Sequence, residues 1–346
     1  MLKKANKSGW MGSKKMITWL SLAGVFLIIF LIFLSSFFWD FSKNKETVFG
    51  VTFSKKYAEE LKLNWQEAYL AILQDLKVDH VRLVAYWDEI EKEPDQYIFN
   101  DLDWQVRQAS DRGVKIIMVL GRRTPRWPEC HDPNWLKGLD QSEVISRQMN
   151  FINKTVERYQ NNSMLEAWQV ENEPLLTLFG QCPAPSLPLL KQEVALVKSL
   201  DVKHPIIVTD SGELSTWQTA ASVPDILGTT LYRIVWNKYM GFLDYFFVPS
   251  AYYHVKADLT KFFHKNLKDI IVVEMQMEPW TYNRSMIELT QAEQEKSFNL
   301  ERFRNNVIYA QKTGFSKIYF WGVEYWYWLK QNNRPEIWNQ AKSLWP

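Results

Sequence analysis

Two carboxylates in this chain stand where an α/β protein would place reactive groups. The stretch Trp168-Gln169-Val170-Glu171-Asn172-Glu173-Pro174 reads as a strand that stops abruptly. Pro174 cannot donate to a sheet ladder, and it biases the residue before it away from helix. An amide, Asn172, and a carboxyl, Glu173, are left side by side at the strand's C-terminal end. A second apolar run, Asp269-Ile270-Ile271-Val272-Val273, ends in Glu274. In a barrel of parallel strands, catalytic groups come from those ends. Two carboxyls on separate strands could break a glycosidic bond, one attacking or activating water while the other protonates the leaving oxygen. Two neighbours compete for these roles. Period two puts Glu171 and Glu173 on the same side, so parity does not choose between them. Glu278, before Pro279-Trp280, could stand in for Glu274, but only Glu274 directly follows the apolar run.

The elements that must position these groups alternate between strand-like and helix-like patterns. Strands are expected at 48–54, 81–86, 115–121, 165–171, 206–210, 226–232, 269–274 and 317–321. Helices are expected at 65–76, 102–112, 143–159, 185–200, 292–312 and 335–344, with Gly113 and Gly314 as C-terminal stops. This order argues for a closed (β/α)8 barrel over an open doubly wound sheet. No Gly-rich phosphate loop follows the first strand. One stretch, 233–253, is long, aromatic and apolar, and a loop of that kind is expected to be a lid or wall of the cleft. The alternative is a membrane-facing patch.

The chain resembles the clan-A glycoside hydrolases, the TIM-barrel superfamily of cellulases, mannanases and β-galactosidases. The resemblance rests on Asn172-Glu173-Pro174 closing the fourth strand, Glu274 ending the seventh, and the aromatic eighth strand Tyr319-Phe320-Trp321. It covers about residues 48–346. It implies Glu173 as acid/base, Glu274 as nucleophile and Asn172 as a ligand of the sugar 2-hydroxyl. It further implies that Arg82 keeps the nucleophile charged, that Tyr232 hydrogen-bonds it, and that Trp321 floors the sugar subsite. Trp87, Trp127, Arg123 and Trp326 also follow strand ends and are further candidates for the cleft. The twice-proline segment Thr124–His131 resembles the groove-lining loop after the third strand. His131 and His254 are the histidines expected near the cleft, and neither is expected to be a catalyst.

The net charge is only +2, so no nucleic-acid or other polyanion partner is implied. The 17 Trp, 15 Tyr and 20 Phe first serve a packed core, although indole faces also suit sugar rings. Residues 16–39 carry no charge and exceed the roughly 20 residues needed to span a bilayer. Lys3, Lys4, Lys7, Lys14 and Lys15 precede them, which keeps the N-terminus cytoplasmic. The expected organisation is a basic tail (1–15), a signal-anchor (16–39), a tether (40–47) and one barrel (48–346) on the extracytoplasmic side of the cell membrane. Secretion after signal cleavage is the alternative, but Ser35-Ser36-Phe37-Phe38-Trp39 is a poor cleavage site. Cys130 and Cys182 fall in the loops after the third and fourth strands, and a disulfide between them is permitted outside the cell. Two cysteines are too few for a zinc cluster and no His pair has ligand spacing, so no metal or organic cofactor is expected.

The expected function is therefore a retaining glycoside hydrolase acting on the β-linkages of an extracellular oligo- or polysaccharide. The alternatives are a barrel that binds carbohydrate without cleaving it, or a transglycosylase using the same site.

Overall fold

The computed structural model describes residues 8–43, 45–237, 239–282 and 284–346. Lys3, Lys4 and Lys7 of the basic tail lie outside the described residues. Eight parallel strands close into a barrel: β1 (Val48–Thr52), β2 (His80–Val84), β3 (Lys115–Leu120), β4 (Leu165–Val170), β5 (Ile206–Asp210), β6 (Ile226–Leu231), β9 (Asp269–Gln276) and β10 (Lys317–Trp321). An antiparallel hairpin, β7 (Ile234–Asn237) with β8 (Gly241–Asp244), interrupts the sequence between the sixth and seventh barrel strands. The barrel strands are nearly continuous apolar runs because both of their faces are covered. Ile117, Ala167, Ile207, Ile271, Val273 and Tyr319 pack inside the barrel. Residues on the opposite strand faces, such as Val81, Trp168, Ile270 and Val272, pack in the larger core under the helices.

One irregularity decides where the chemistry can sit. Thr229 pairs with Val272, but the next residue, Thr230, pairs with Glu274. On the other edge Ile318 pairs with Val272 and Phe320 with Met275. An extra residue is therefore inserted into β9, a β-bulge. Strict alternation would send Glu274 outward with Ile270 and Val272. Beyond the bulge it is Met275 and Met277 that join the outer core. Glu274 instead turns inward, next to Val273.

Several expected boundaries shift. The 292–312 helix is two pieces, Gln291–Glu295 and Leu300–Lys312, the second started afresh by Asn299 capping the N–H of Arg302. The 233–253 insertion ends sooner than expected. It folds as the hairpin, and Tyr253 already lies in a helix, Ser250–Phe263, that the sequence reading missed. The apolar N-terminal segment is a helix, Ser8–Ser36, whose part Thr18–Ser36 has a mean hydropathy of 2.4 and is long enough to cross a bilayer.

Candidate active site

The site is assembled around Arg82, which is fully buried in β2. Its Nη1 donates to Glu274 Oε1 at 3.0 Å and its Nη2 to Asn172 Oδ1 at 2.9 Å. Its Nε donates to Gln169 Oε1 at 2.7 Å. One guanidinium thus ties the end of β4 to the end of β9. The other oxygen of Glu274 accepts from the Tyr232 hydroxyl at 3.0 Å. The backbone N–H of Glu173 donates to Thr209 Oγ1 at 2.7 Å, and that hydroxyl also reaches Asn172 Oδ1 at 3.3 Å. Glu173, Asn172 and Glu274 are all buried.

The turn after β4 separates the two glutamates that strand parity could not. Glu171 and Glu173 both adopt positive φ, 61° and 44°. Such backbone is costly for a residue with a Cβ and concentrates at functional sites. Glu171 turns toward the helices. Its carboxylate accepts the backbone N–H groups of Arg122 at 2.7 Å and Arg123 at 2.6 Å, and the Gln148 amide at 2.9 Å. Gly121, at φ 121°, must be glycine here, since a Cβ would lie 2.4 Å from Glu171 Oε1. Glu171 therefore shapes the loop, and Glu173 is left to the cleft. Glu278 is likewise set apart from Glu274, because it pairs with Arg126 at 2.5 Å.

Electrostatics favours a protonated Glu173. Burial first, then the charges of Glu274, Glu129 and Glu213, raises its carboxyl well above the ordinary range. Glu129 is pushed up to about 8, by burial first and then by Glu274. Its Oε2 accepts from the Asn172 amide at 3.3 Å, so this carboxyl, not singled out in the sequence, belongs to the site. Glu213 is a further hidden member. Its Oε1 accepts from the Tyr232 backbone N–H at 2.8 Å and from the Tyr253 hydroxyl at 2.7 Å. Neither residue ends a strand, which is the one signal a sequence offers for such groups.

The remaining candidates divide. Trp127 presents its ring to solvent. Trp87 and Trp326 are corrected to core residues. Trp87 stacks on Phe151 at 5.6 Å and donates to Glu91, and Trp326 donates to the Met277 carbonyl at 2.7 Å. Arg123 holds the loop after β4 through the carbonyls of Leu176 at 2.6 Å and Phe179 at 3.1 Å, and its Nε lies 3.7 Å from Glu129 Oε2, so it borders the site through that carboxylate. Trp321 ends β10 as expected, but the Arg126 guanidinium lies 3.9 Å from its ring centre and 3.6 Å from that of Tyr57. Glu278 and Glu324 hold Arg126 there, so a sugar would have to displace it to use that face. His131 packs edge-on against Tyr86 in the loop after β3, whereas His254 stacks on Phe41 on the outer helical layer, away from the cleft. Cys130 and Cys182 form a disulfide with a Cα–Cα distance of 5.3 Å, joining the loops after β3 and β4. In the insertion, Trp236 stacks on Tyr282 at 3.6 Å, and the adjoining Trp280 meets Tyr232 edge-on at 5.5 Å, so the hairpin borders the cleft.

No protein-family model and no curated protein matches the chain. Solved structures do. GH5_18 from Bifidobacterium longum subsp. longum superposes with a TM-score of 0.58 at 12% identity, over 80% of this chain and 69% of that one. GH5_18 from Streptomyces cattleya, solved with GlcNAc, gives 0.57 at 11%, over 80% and 70%. Xylanase 10B from Thermotoga maritima gives 0.53 at 15%, over 80% and 82%. The barrel has the fold of the clan-A glycoside hydrolases. Within that fold Glu173 follows the fourth barrel strand, and Glu274 lies inside the seventh, which continues to Gln276 instead of ending at Glu274 as expected.

Two predictions follow from the supports of this site. Arg82→Met would leave Glu274 buried without its cation. Removing one partner of a buried pair costs about 3–5 kcal/mol, so chemical denaturation should show a loss of that size. The second concerns Glu171 and Glu193, which both accept from the Gln148 amide. Burial raises Glu171 to about 7, and it raises Glu193 well above its ordinary range, helped by the Glu171 charge. Carboxyls that hold protons more tightly when folded contribute stability below the ordinary carboxylate range and lose it as pH rises past 7. Glu193→Gln should leave the thermal midpoint unchanged near pH 4 and raise it at pH 8, by about 2–4 °C for each kcal/mol recovered.

Proposed function

We propose that this barrel hydrolyses a β-glycosidic bond of an extracytoplasmic oligo- or polysaccharide with retention of configuration. The observation that carries the reading is Arg82 bridging Glu274 and Asn172, with Glu173 beside them. That pairing sets a guanidinium against Glu274 while burial keeps the Glu173 proton in place, and double displacement needs one carboxyl to attack and the other to carry a proton. In the first step a Glu274 oxygen bonds to the anomeric carbon. The glycosidic bond breaks, and the leaving oxygen takes the Glu173 proton. Esterification removes the Glu274 charge that had raised Glu173, so Glu173 becomes a better base for the second step. Water then attacks the anomeric carbon, gives its proton to Glu173, and releases the sugar and the Glu274 carboxylate. Glu129, whose carboxyl is pushed up to about 8 by burial and then by Glu274, accepts from the Asn172 amide and helps to orient it. Among the neighbours, one GH5_18 structure holds Manβ1-4GlcNAc and one xylanase 10B structure holds xylobiose. A short β-linked oligosaccharide is accordingly the substrate class to test first.

In the same reading the N-terminal helix is an uncleaved single-pass anchor with its lysines on the cytoplasmic side, the tether follows it, and the barrel stands outside. The deciding experiment screens 4-nitrophenyl β-glycosides of mannose, glucose, galactose, xylose and N-acetylglucosamine with the detergent-solubilised full chain, then follows the best one by proton NMR. The first-formed hemiacetal should be the β-anomer. An α-anomer would replace the mechanism with inversion, and binding without turnover of any glycoside would leave the barrel a carbohydrate-binding module.

A further inference from the structure

The helix Ser250–Phe263 carries two apolar faces, and only one of them meets the barrel. Ala251, Tyr253, Ala257 and Thr260 are buried. Tyr252, Val255, Leu259, Phe262 and Phe263 are exposed, the last two at 63% and 62%. Their spacing of three, four, three and one residues makes a single stripe along the helix. A water-facing helix on a soluble domain carries polar residues there, and large contiguous apolar patches mark a surface that something covers.

The geometry around the stripe indicates what covers it. The hydrophobic N-terminal helix packs against this same helix. Phe37, just past its end, lines a groove with Phe246, Val248 and Ile308, of which Phe246 and Ile308 are themselves exposed. The chain is then pinned almost at once. Phe41 stacks on His254 of the striped helix with ring centres 3.7 Å apart, and its N–H donates to the Lys312 carbonyl at 3.1 Å. Gly314 makes room for this contact, since a Cβ there would lie 2.5 Å from the Phe41 carbonyl oxygen. The tether therefore does not let the domain swing free. It fixes one side of the barrel against the segment that leaves the membrane.

We propose that the exposed face of Ser250–Phe263, continued by Phe246 and Ile308, lies in the interfacial layer of the lipid bilayer that the N-terminal helix enters. The proposal rests on the reading of that helix as a membrane anchor. Lys265 closes the stripe. The Lys265 ammonium sits 4.6 Å from the Phe262 ring centre, an arrangement that suits an apolar ring in the acyl boundary and a charged end among headgroups. The active site is then held at a set height and orientation over the surface.

The test uses the full chain reconstituted in liposomes of phosphatidylcholine and phosphatidylglycerol. Single nitroxide labels are placed by Leu259→Cys, Phe262→Cys, Ile29→Cys in the N-terminal helix and Val202→Cys in the exposed turn before β5. The native cysteines are paired and do not take the label. Collision with oxygen, which dissolves in lipid, is compared with collision with a water-soluble nickel chelate. Positions 259 and 262 should resemble position 29, with an oxygen-to-nickel ratio severalfold above that of position 202. Labels at 259 and 262 that match 202 while 29 reads lipid would overturn the docking face and leave the anchor standing. A water-exposed label at 29 would remove both. Spin–spin broadening at 262 that grows with the protein-to-lipid ratio would show a second copy on the face, and would also sink the proposal.

Discussion

Glu274→Gln should fold as the native chain does and lose turnover by roughly 10⁴–10⁶-fold, the size of effect seen when a covalent nucleophile is removed. The amide is nearly isosteric: its oxygen can still accept from Arg82, and its NH2 can donate to the Tyr232 hydroxyl, which in the native chain donates to the second carboxylate oxygen at 3.0 Å. The buried Arg82 then lacks its counter-charge, so the thermal midpoint should fall, while the near-ultraviolet circular dichroism stays close to that of the native chain. Glu274→Gly should behave differently when sodium azide is added. The small anion fits the space left by the carboxylate and attacks the anomeric carbon from the same side. The product should be the α-glycosyl azide, identifiable by NMR. A Glu274→Gln protein with native turnover would show that Glu274 does not bond to the sugar. The search for the nucleophile would then pass to Glu129.

Glu173→Ala should show a loss that depends on the leaving group. Protonation matters most for poor leaving groups, and general acid assistance is worth about 10²–10⁴-fold. An alkyl or sugar leaving group should show that full loss, whereas a 2,4-dinitrophenyl glycoside should form the glycosyl-enzyme at close to the native rate and then stall at hydrolysis. The pH profile provides a second reading. Burial and the charge of Glu274 raise Glu173, so its proton persists through neutral pH and is lost only as pH rises through its elevated value. The native kcat/KM should fall on the alkaline side, and Glu173→Ala should flatten that limb for the activated substrate. An unchanged profile, or an equal loss with both leaving groups, would take the acid/base role away from Glu173.

Much of the barrel was legible in the sequence, for a physical reason. Strands buried on both faces must be apolar runs, and helices that cover a barrel must show a 3.6-residue stripe, so the eight strands could be read in order. The carboxylates were legible because Pro174 marks a strand end and because Glu274 breaks the apolar run after Val273, although β9 continues past it to Gln276. What escaped depends on backbone irregularity and on long-range packing. Alternation alone would have faced Glu274 outward, and only the inserted residue in β9 brings it to Arg82. Nothing local in Glu171-Asn172-Glu173 announces two positive φ angles that point two glutamates in opposite directions. Glu129 and Glu213 come from loops, whose course is set by distant partners. Trp87 and Trp326 show the reverse error, because a tryptophan after a strand looks the same whether it faces the cleft or the packed layer behind it. Ser250–Phe263 was missed because its outward face is as apolar as its inward one, which blurs the amphipathic signal that usually marks a surface helix.

The Cys130–Cys182 bridge ties the site to the life history of the chain. It joins the loop that carries Arg126 and Glu129 to the loop that follows Asn172 and Glu173. Thiols stay reduced in the cytosol and pair in oxidising compartments. A chain held back before export would carry those two loops as separate, unfastened segments beside intact carboxylates. On the proposed topology, export would be a step of maturation as well as of transport, and the cleft would be fastened only once the barrel had crossed the membrane.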